Sequence, residues 1–181
     1  MLPTKKISEK EIWSILEEVK DPEVPVLSII DLGIIRKIEI LSEIENPPSE
    51  PVPTCREGLG IYITPTYSGC PAMDVIRMDI KMILLSHGYK NVKITQVLSP
   101  AWTTDWMSEE GKRKLKEYGI APPNPKQQVC DENLFAPNEA VQCPHCDSYH
   151  THRVSEFGST ACKALYFCDD CKEPFDYFKC Y

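Results

Sequence analysis

Nine cysteines in a chain of 181 residues, six of them after Val141, are the side chains best suited to chemistry. Cys143-Pro144-His145-Cys146 and Cys168-Asp169-Asp170-Cys171 are two Cys-x-x-Cys knuckles 21 residues apart. Each knuckle turns tightly enough to bring two thiolates to one ion. Two knuckles on facing hairpins close a tetrahedron around zinc, with Zn–S near ~2.3 Å. Thr151 to Val154 before Gly158, and Lys163 to Phe167 running into the second knuckle, supply such hairpins. Four thiolates suit zinc and a rubredoxin-like iron centre alike. The reading favours structural zinc, with a redox dithiol or free structural thiols as the alternatives to metal. A shell closed by Cys143, Cys146, Cys168 and Cys171 leaves no open position for water, and hence no catalytic zinc. A unit of about 40 residues buries too little surface to fold alone, so the metal supplies much of its folding free energy. Cys162, Cys180, His145, His150 and His152 are left over, and are read as core or surface rather than as substitute ligands.

A second candidate lies far upstream. Ile61 to Met73 reads as a strand, a turn and a helix opening around Ser68-Gly69-Cys70-Pro71. Proline suits the first helical position, having no N–H to leave orphaned, and this places Cys70 at the N-cap. There the free amides and the positive helix end lower a thiol's pKa and favour thiolate. Gly69 permits a sharp turn, and the hydroxyls of Thr64, Thr66 and Ser68 can line an anion- or metal-facing pocket. On geometry alone an inert cap is an equal reading. No P-loop, G-x-S-x-G elbow or dinucleotide glycine fingerprint accompanies it.

The elements that must hold these thiols follow from periodicity. Ser8 is placed to cap a helix whose Ile12, Leu16 and Val19 recur at helical spacing, and which stops at Asp21-Pro22. Leu32 to Ile44 and Leu59 to Ile63 read as strands, joined across a loop with four prolines between Asn46 and Pro53. Met73, Ile76, Ile80, Ile83, Leu84 and His87 share one face of a helix over 72–87, ended by Gly88. Asn91 to Leu98 is a third strand, and Trp106 to Tyr118 a short helix closed by Gly119. The order αββαβα predicts an α+β fold, a small mixed sheet with helices over residues 1–120. A Pro-rich linker over 121–140 and a zinc-ribbon-like module over 141–181 complete it.

Composition excludes several classes. An apolar share of 42%, a charged share of 26% and a net charge of −7 describe a globular chain that repels phosphate. Six acidic against four basic residues after Val141 likewise disfavour a nucleic-acid-binding ribbon. The longest apolar run near the middle, Met82 to Leu85, is far short of a membrane span. With no apolar signal core after Met1 and an odd cysteine count, the expectation is a cytoplasmic protein without a disulfide framework.

Longer motifs are similar to known families. Asp21-Pro22-Glu23-Val24-Pro25-Val26, Asp31-Leu32-Gly33-Ile34-Ile35 and Thr64 to Asp74 resemble the blocks of the iron–sulfur-assembly domain shared by SufT-like proteins. Ile63 to Asp74, Pro100 to Trp106, Tyr118 to Pro123, Phe157 to Ala164 and Glu173 to Cys180 resemble the PaaD (PaaJ) family, encoded with the bacterial phenylacetyl-CoA epoxidase. The loop from Asn46 to Cys55 departs from that pattern as an insertion. The resemblance implies an accessory maturation factor in phenylacetate degradation, not itself catalytic. It implies the oxygenase and reductase components as partners, the former a di-iron protein and the latter carrying a 2Fe–2S cluster. It further implies Cys70 as a transient ligand for iron or a cluster, with Asp21 and Glu23 as its acidic neighbours; a helix stop with solvated charges is an equal reading of that pair. A bridging subunit and a rubredoxin-like electron carrier are the alternatives. Trp102 and Trp106 are read as core or loop anchors.

Overall fold

The computed structural model of the protein describes residues 8–41, 58–123 and 141–179. Cys55, Cys130 and Cys180, the proline-rich loop after Leu41 and most of the expected linker lie outside the described residues. The chain opens with helix α1 (Glu9–Leu16), which buries Ile12, Ile15 and Leu16. Ser8 is extended but makes no side-chain capping bond, contrary to expectation. Strand β1 (Ile35–Leu41) pairs antiparallel with β2 (Gly58–Ile63). β1 starts three residues later than expected because Gly33, at φ +66°, interrupts extended backbone. A register shift between Ile35 and Lys37 leaves Arg36 outside the ladder, and its guanidinium lies 3.4 Å from the centre of the Trp106 ring.

β2 then pairs in parallel with β3 (Val92–Gln96), and a parallel neighbour requires a crossover element. Helix α2 (Ala72–Ser86) is that crossover, burying Ala72, Met73, Ile76, Ile80 and Leu84. Ile83 is half-buried and His87 exposed, so the expected stripe is narrower at its C-terminal end. Gly88 follows at φ +93°, as a left-handed cap requires. The expected helix over 106–118 divides. Thr104–Trp106 is a 3-10 turn, Met107 is extended, and helix α3 is Glu109–Glu117. The cause is Ser108, whose Oγ accepts the Gly111 N–H at 2.8 Å and so starts α3 at its own position.

Strand β4 (Ile120–Ala121) corrects the expected start of the linker. Three further strands, β5 (Thr151–Ser155), β6 (Lys163–Cys168) and β7 (Pro174–Phe178), form an antiparallel meander. Ile120 and Ala121 of β4 pair in parallel with Asp176 and Tyr177 of β7. The sheet order is thus β4-β7-β6-β5. Two side chains of the ribbon, Cys162 and Phe178, belong to the core that also holds Ile12, Ile61 and Ile76. Phe178 meets Trp102 edge-on at 6.2 Å between ring centres. Trp102 itself is buried and donates its Nε1–H to the Leu32 carbonyl at 2.8 Å. It is an anchor.

Candidate functional site

The two knuckles fold alike. Asp147 N–H donates to the Cys143 carbonyl and Lys172 N–H to the Cys168 carbonyl, each at 3.0 Å. The residue after each knuckle is left-handed, Asp147 at φ 60° and Lys172 at φ 64°. Backbone N–H groups of His145 and Cys146 point at the Cys143 sulfur, and those of Cys171 and Asp170 at the Cys168 sulfur. The amide of Cys171, aided by that of Asp170, pulls the Cys168 thiol down to about 7. All four sulfurs lie within 4.8 Å of one another. Cys143 and Cys171 approach to 3.7 Å, Cys146 and Cys168 to 3.6 Å. A tetrahedron with Zn–S near ~2.3 Å has edges of about 3.8 Å, so the donor set fits zinc in size as well as in chemistry. Among the described residues no fifth donor joins the group: His150 and His152 turn instead to Asp170 and Asp169, at 3.2 and 3.0 Å.

Cys70 stands at the entrance of α2. The helix begins at Ala72 with Pro71 in the capping position, one residue later than expected. Pro71 already has helical dihedrals, and the Cys70 carbonyl accepts the Met73 N–H at 3.4 Å. The expected fall in the thiol's pKa does not occur. Burial raises it, and the carboxylates of Glu23 and Asp21 push the same way. The Ala72 N–H and the Tyr67 hydroxyl oppose this without reversing it. The sulfur is half-buried and packs against the core. A thiol in this setting is mostly protonated at neutral pH and needs an incoming cation to become a thiolate.

Asp21 and Glu23 come to this thiol by different routes. Asp21 is buried, and its Oδ1 accepts the N–H groups of Glu23 and Val24 at 2.9 and 2.8 Å. It therefore closes the turn after α1, and burial raises its pKa against those two bonds. Glu23 is half-buried, and its Oε2 accepts the Cys162 thiol at 3.6 Å. The hydroxyls split. Thr64 is buried with its Oγ1 unpartnered, Thr66 is half-buried and Ser68 exposed. Among the described residues neither Thr66 nor Ser68 hydrogen-bonds Cys70; the donor is Tyr67, which sequence reasoning does not single out. Burial, together with the nearby Cys70, Glu23 and Cys162, pushes the Tyr67 phenol up to about 12. Cys162 is a leftover thiol on sequence grounds. Nothing local marks it, because its neighbour Glu23 arrives from 139 residues away.

The architecture is that of a small α+β domain joined through its core to a four-cysteine zinc ribbon. Residues 127–179 match the family described as the PaaD zinc beta ribbon domain. An Escherichia coli (strain K12) protein described as a component of 1,2-phenylacetyl-CoA epoxidase is 47% identical over 170 residues, which span 94% of this chain and 92% of that protein. The chain belongs to the PaaD family. Among solved structures, a DUF59 domain from Bacillus anthracis aligns over 59% of this chain and 90% of its own, at 27% identity and a TM-score of 0.48. A conserved hypothetical protein from Thermotoga maritima aligns over 62% of this chain and 98% of its own, at 24% identity and a TM-score of 0.47.

Proposed function

We propose that this protein is a non-catalytic accessory factor of a phenylacetyl-CoA epoxidase system. It assists insertion of iron or an iron–sulfur cluster into the oxygenase or reductase component, with Cys70 as the transient ligand. Cys143, Cys146, Cys168 and Cys171 hold structural zinc, which fixes the ribbon and takes no part in transfer. The observation that carries this reading is the setting of Cys70: a half-buried thiol at a helix entrance beside Glu23 and Asp21. Thiol and carboxylate together attract a divalent iron ion, and a single thiolate binds too weakly to retain it. Among the described residues, no group besides the four ribbon cysteines brings three metal-binding side chains within 4.8 Å.

The test is Cys70→Ala in cells that co-express the oxygenase and reductase. Iron per oxygenase and cluster per reductase, measured on the purified components, should fall severalfold for at least one of them. One zinc per chain should be retained. Full occupancy of both components with the variant would exclude the role and leave a bridging subunit as the reading.

A further inference from the structure

Helix α2 carries a second apolar stripe on its outer side. Its inner residues Met73, Ile76, Ile80 and Leu84 are buried, yet Val75, Met78, Met82 and Leu85 are 47% to 65% exposed. Spacings of three, four and three residues set the outer four on one line, the a and d positions of a heptad. Scattered exposed apolar side chains are ordinary, but a continuous line of them on one helix face is a surface that gains by being covered. Met78 and Met82 lie at its centre, and their flexible thioethers adapt to the shape of a partner.

An open groove of about 540 Å³ runs beside the stripe, between α2 and the turn that follows α1. Val19, Pro22, Pro25 and Ile83 give it an apolar lining, which Met82 joins to the stripe. Glu18, Asp21 and Asp79 also line it, against Lys20 as the cation among the lining residues. Asp21 is buried and bound to the amides of Glu23 and Val24, so Glu18 and Asp79 are the carboxylates a visitor meets. His87 Nε2 stands 4.0 Å from Glu18, and Lys20 Nζ reaches the Glu17 carbonyl at 3.5 Å. The other flank of the stripe holds Asp74, Arg77 and Lys81, with Arg77 tied to Asp74 at 3.3 Å and to Gln96. Acidic groups therefore outnumber basic ones on the groove side alone.

That charge pattern argues against a second copy of the chain as the occupant. Laid antiparallel, with Val75 against Leu85 and Met78 against Met82, two α2 helices would bring Asp79 beside Asp79 and Lys81 beside Lys81. Laid parallel, they would set Asp74 beside Asp79. We infer that the outer stripe of α2 and the adjoining groove are a docking site for an amphipathic helix of another protein, one whose apolar stripe is flanked by Lys or Arg. Its apolar side chains seat along Val75, Met78, Met82 and Leu85, and its cations meet Glu18 and Asp79. Buried apolar area supplies the attraction, and the carboxylates select the partner. The site uses none of the zinc ligands and does not depend on the role of Cys70.

The test uses the zinc-loaded full-length protein and two helical peptides of about 18 residues, with leucine at a and d and either lysine or glutamate elsewhere. Binding is read by fluorescence anisotropy at about 0.15 M salt, where long-range attraction is screened. The lysine peptide should bind at least about tenfold more tightly than the glutamate peptide. Met78→Ser with Met82→Ser should weaken the lysine peptide about tenfold, with zinc content and helical circular dichroism unchanged as proof of folding. Glu18→Lys with Asp79→Lys should remove the preference for lysine. Undiminished binding of the lysine peptide to the double methionine variant would reduce the attraction to net charge and overturn the site. So would failure of both peptides to bind. A wild type that sediments as a dimer, broken by the same two methionine substitutions, would make a second copy the occupant and overturn it too.

Discussion

Asp21 and Asp31 are both acidic residues in family-like blocks, and the structure sends them in opposite directions. Burial raises Asp21, whose only direct donors among the described residues are two backbone amides. Asp31 is also pushed up by burial, but the Lys114 ammonium and the donors of Ser28 and Ser108 outweigh it and hold the carboxyl at about 2. Lys114 Nζ is 2.7 Å from Oδ2 and the Ser108 hydroxyl 2.9 Å from Oδ1. A carboxyl depressed from ~3.9 in the unfolded chain stabilises the fold by about 2 kcal/mol. That contribution is complete above about pH 4 and is lost as pH falls through about 2. Asp31→Asn should therefore lower stability by about 2 kcal/mol at pH 7 in urea unfolding, and the gap to wild type should narrow below about pH 4. A gap that does not change with pH would rule out the ion pair as its source. Composition alone treats the two carboxylates as equal; the donors around each decide the difference.

Asp31 acts for the elements around it. Its carbonyl accepts the Ser108 N–H at 2.9 Å, tying the start of α3 to the loop before β1. Gly33, two residues on, has φ +66°, and a Cβ there would meet the Trp106 carbonyl oxygen at 2.3 Å. Gly33→Ala should cost about 2 kcal/mol or more, from left-handed strain together with displacement of the 3-10 turn. Thermal unfolding measures it, and an unchanged midpoint would show that the turn moves freely. The helix stripe Met73, Ile76, Ile80 and Leu84 is legible in the sequence because its period is local. The knuckles are legible because a short spacing fixes a turn. Strand β4 is not: two residues followed by Pro122-Pro123 carry no period, and their partners Asp176 and Tyr177 lie over 50 positions later. The thiolate expected at Cys70 fails for a related reason. The helix end is visible in the sequence, but the burial that chiefly raises the thiol comes from tertiary packing, with the Glu23 and Asp21 carboxylates adding to it.

Across the whole molecule, the ribbon is part of the core of its neighbour. Phe178 is 2% exposed and packs on Trp102, Cys162 is buried beside Glu23, and β4 continues directly from α3 into the ribbon sheet. Zinc held by the knuckles would thereby brace the α+β domain as well as the ribbon. Metal binding fixes the knuckle at the end of β6, and β6 begins at Lys163, the residue after Cys162. Without zinc a unit of this size lacks the buried area to keep its strands. Replacing Cys143 and Cys168 together with Ser should thus abolish zinc binding, strip the ribbon of its sheet and withdraw Phe178 from Trp102. The thermal midpoint of the α+β domain should then fall, although neither replaced residue belongs to that domain. An unchanged midpoint in that variant, with the ribbon shown by circular dichroism to be unfolded, would mean that the α+β domain keeps its core without the ribbon. A merely tethered ribbon can unfold at no cost to its neighbour; one that shares its neighbour's core cannot, and this measurement separates the two.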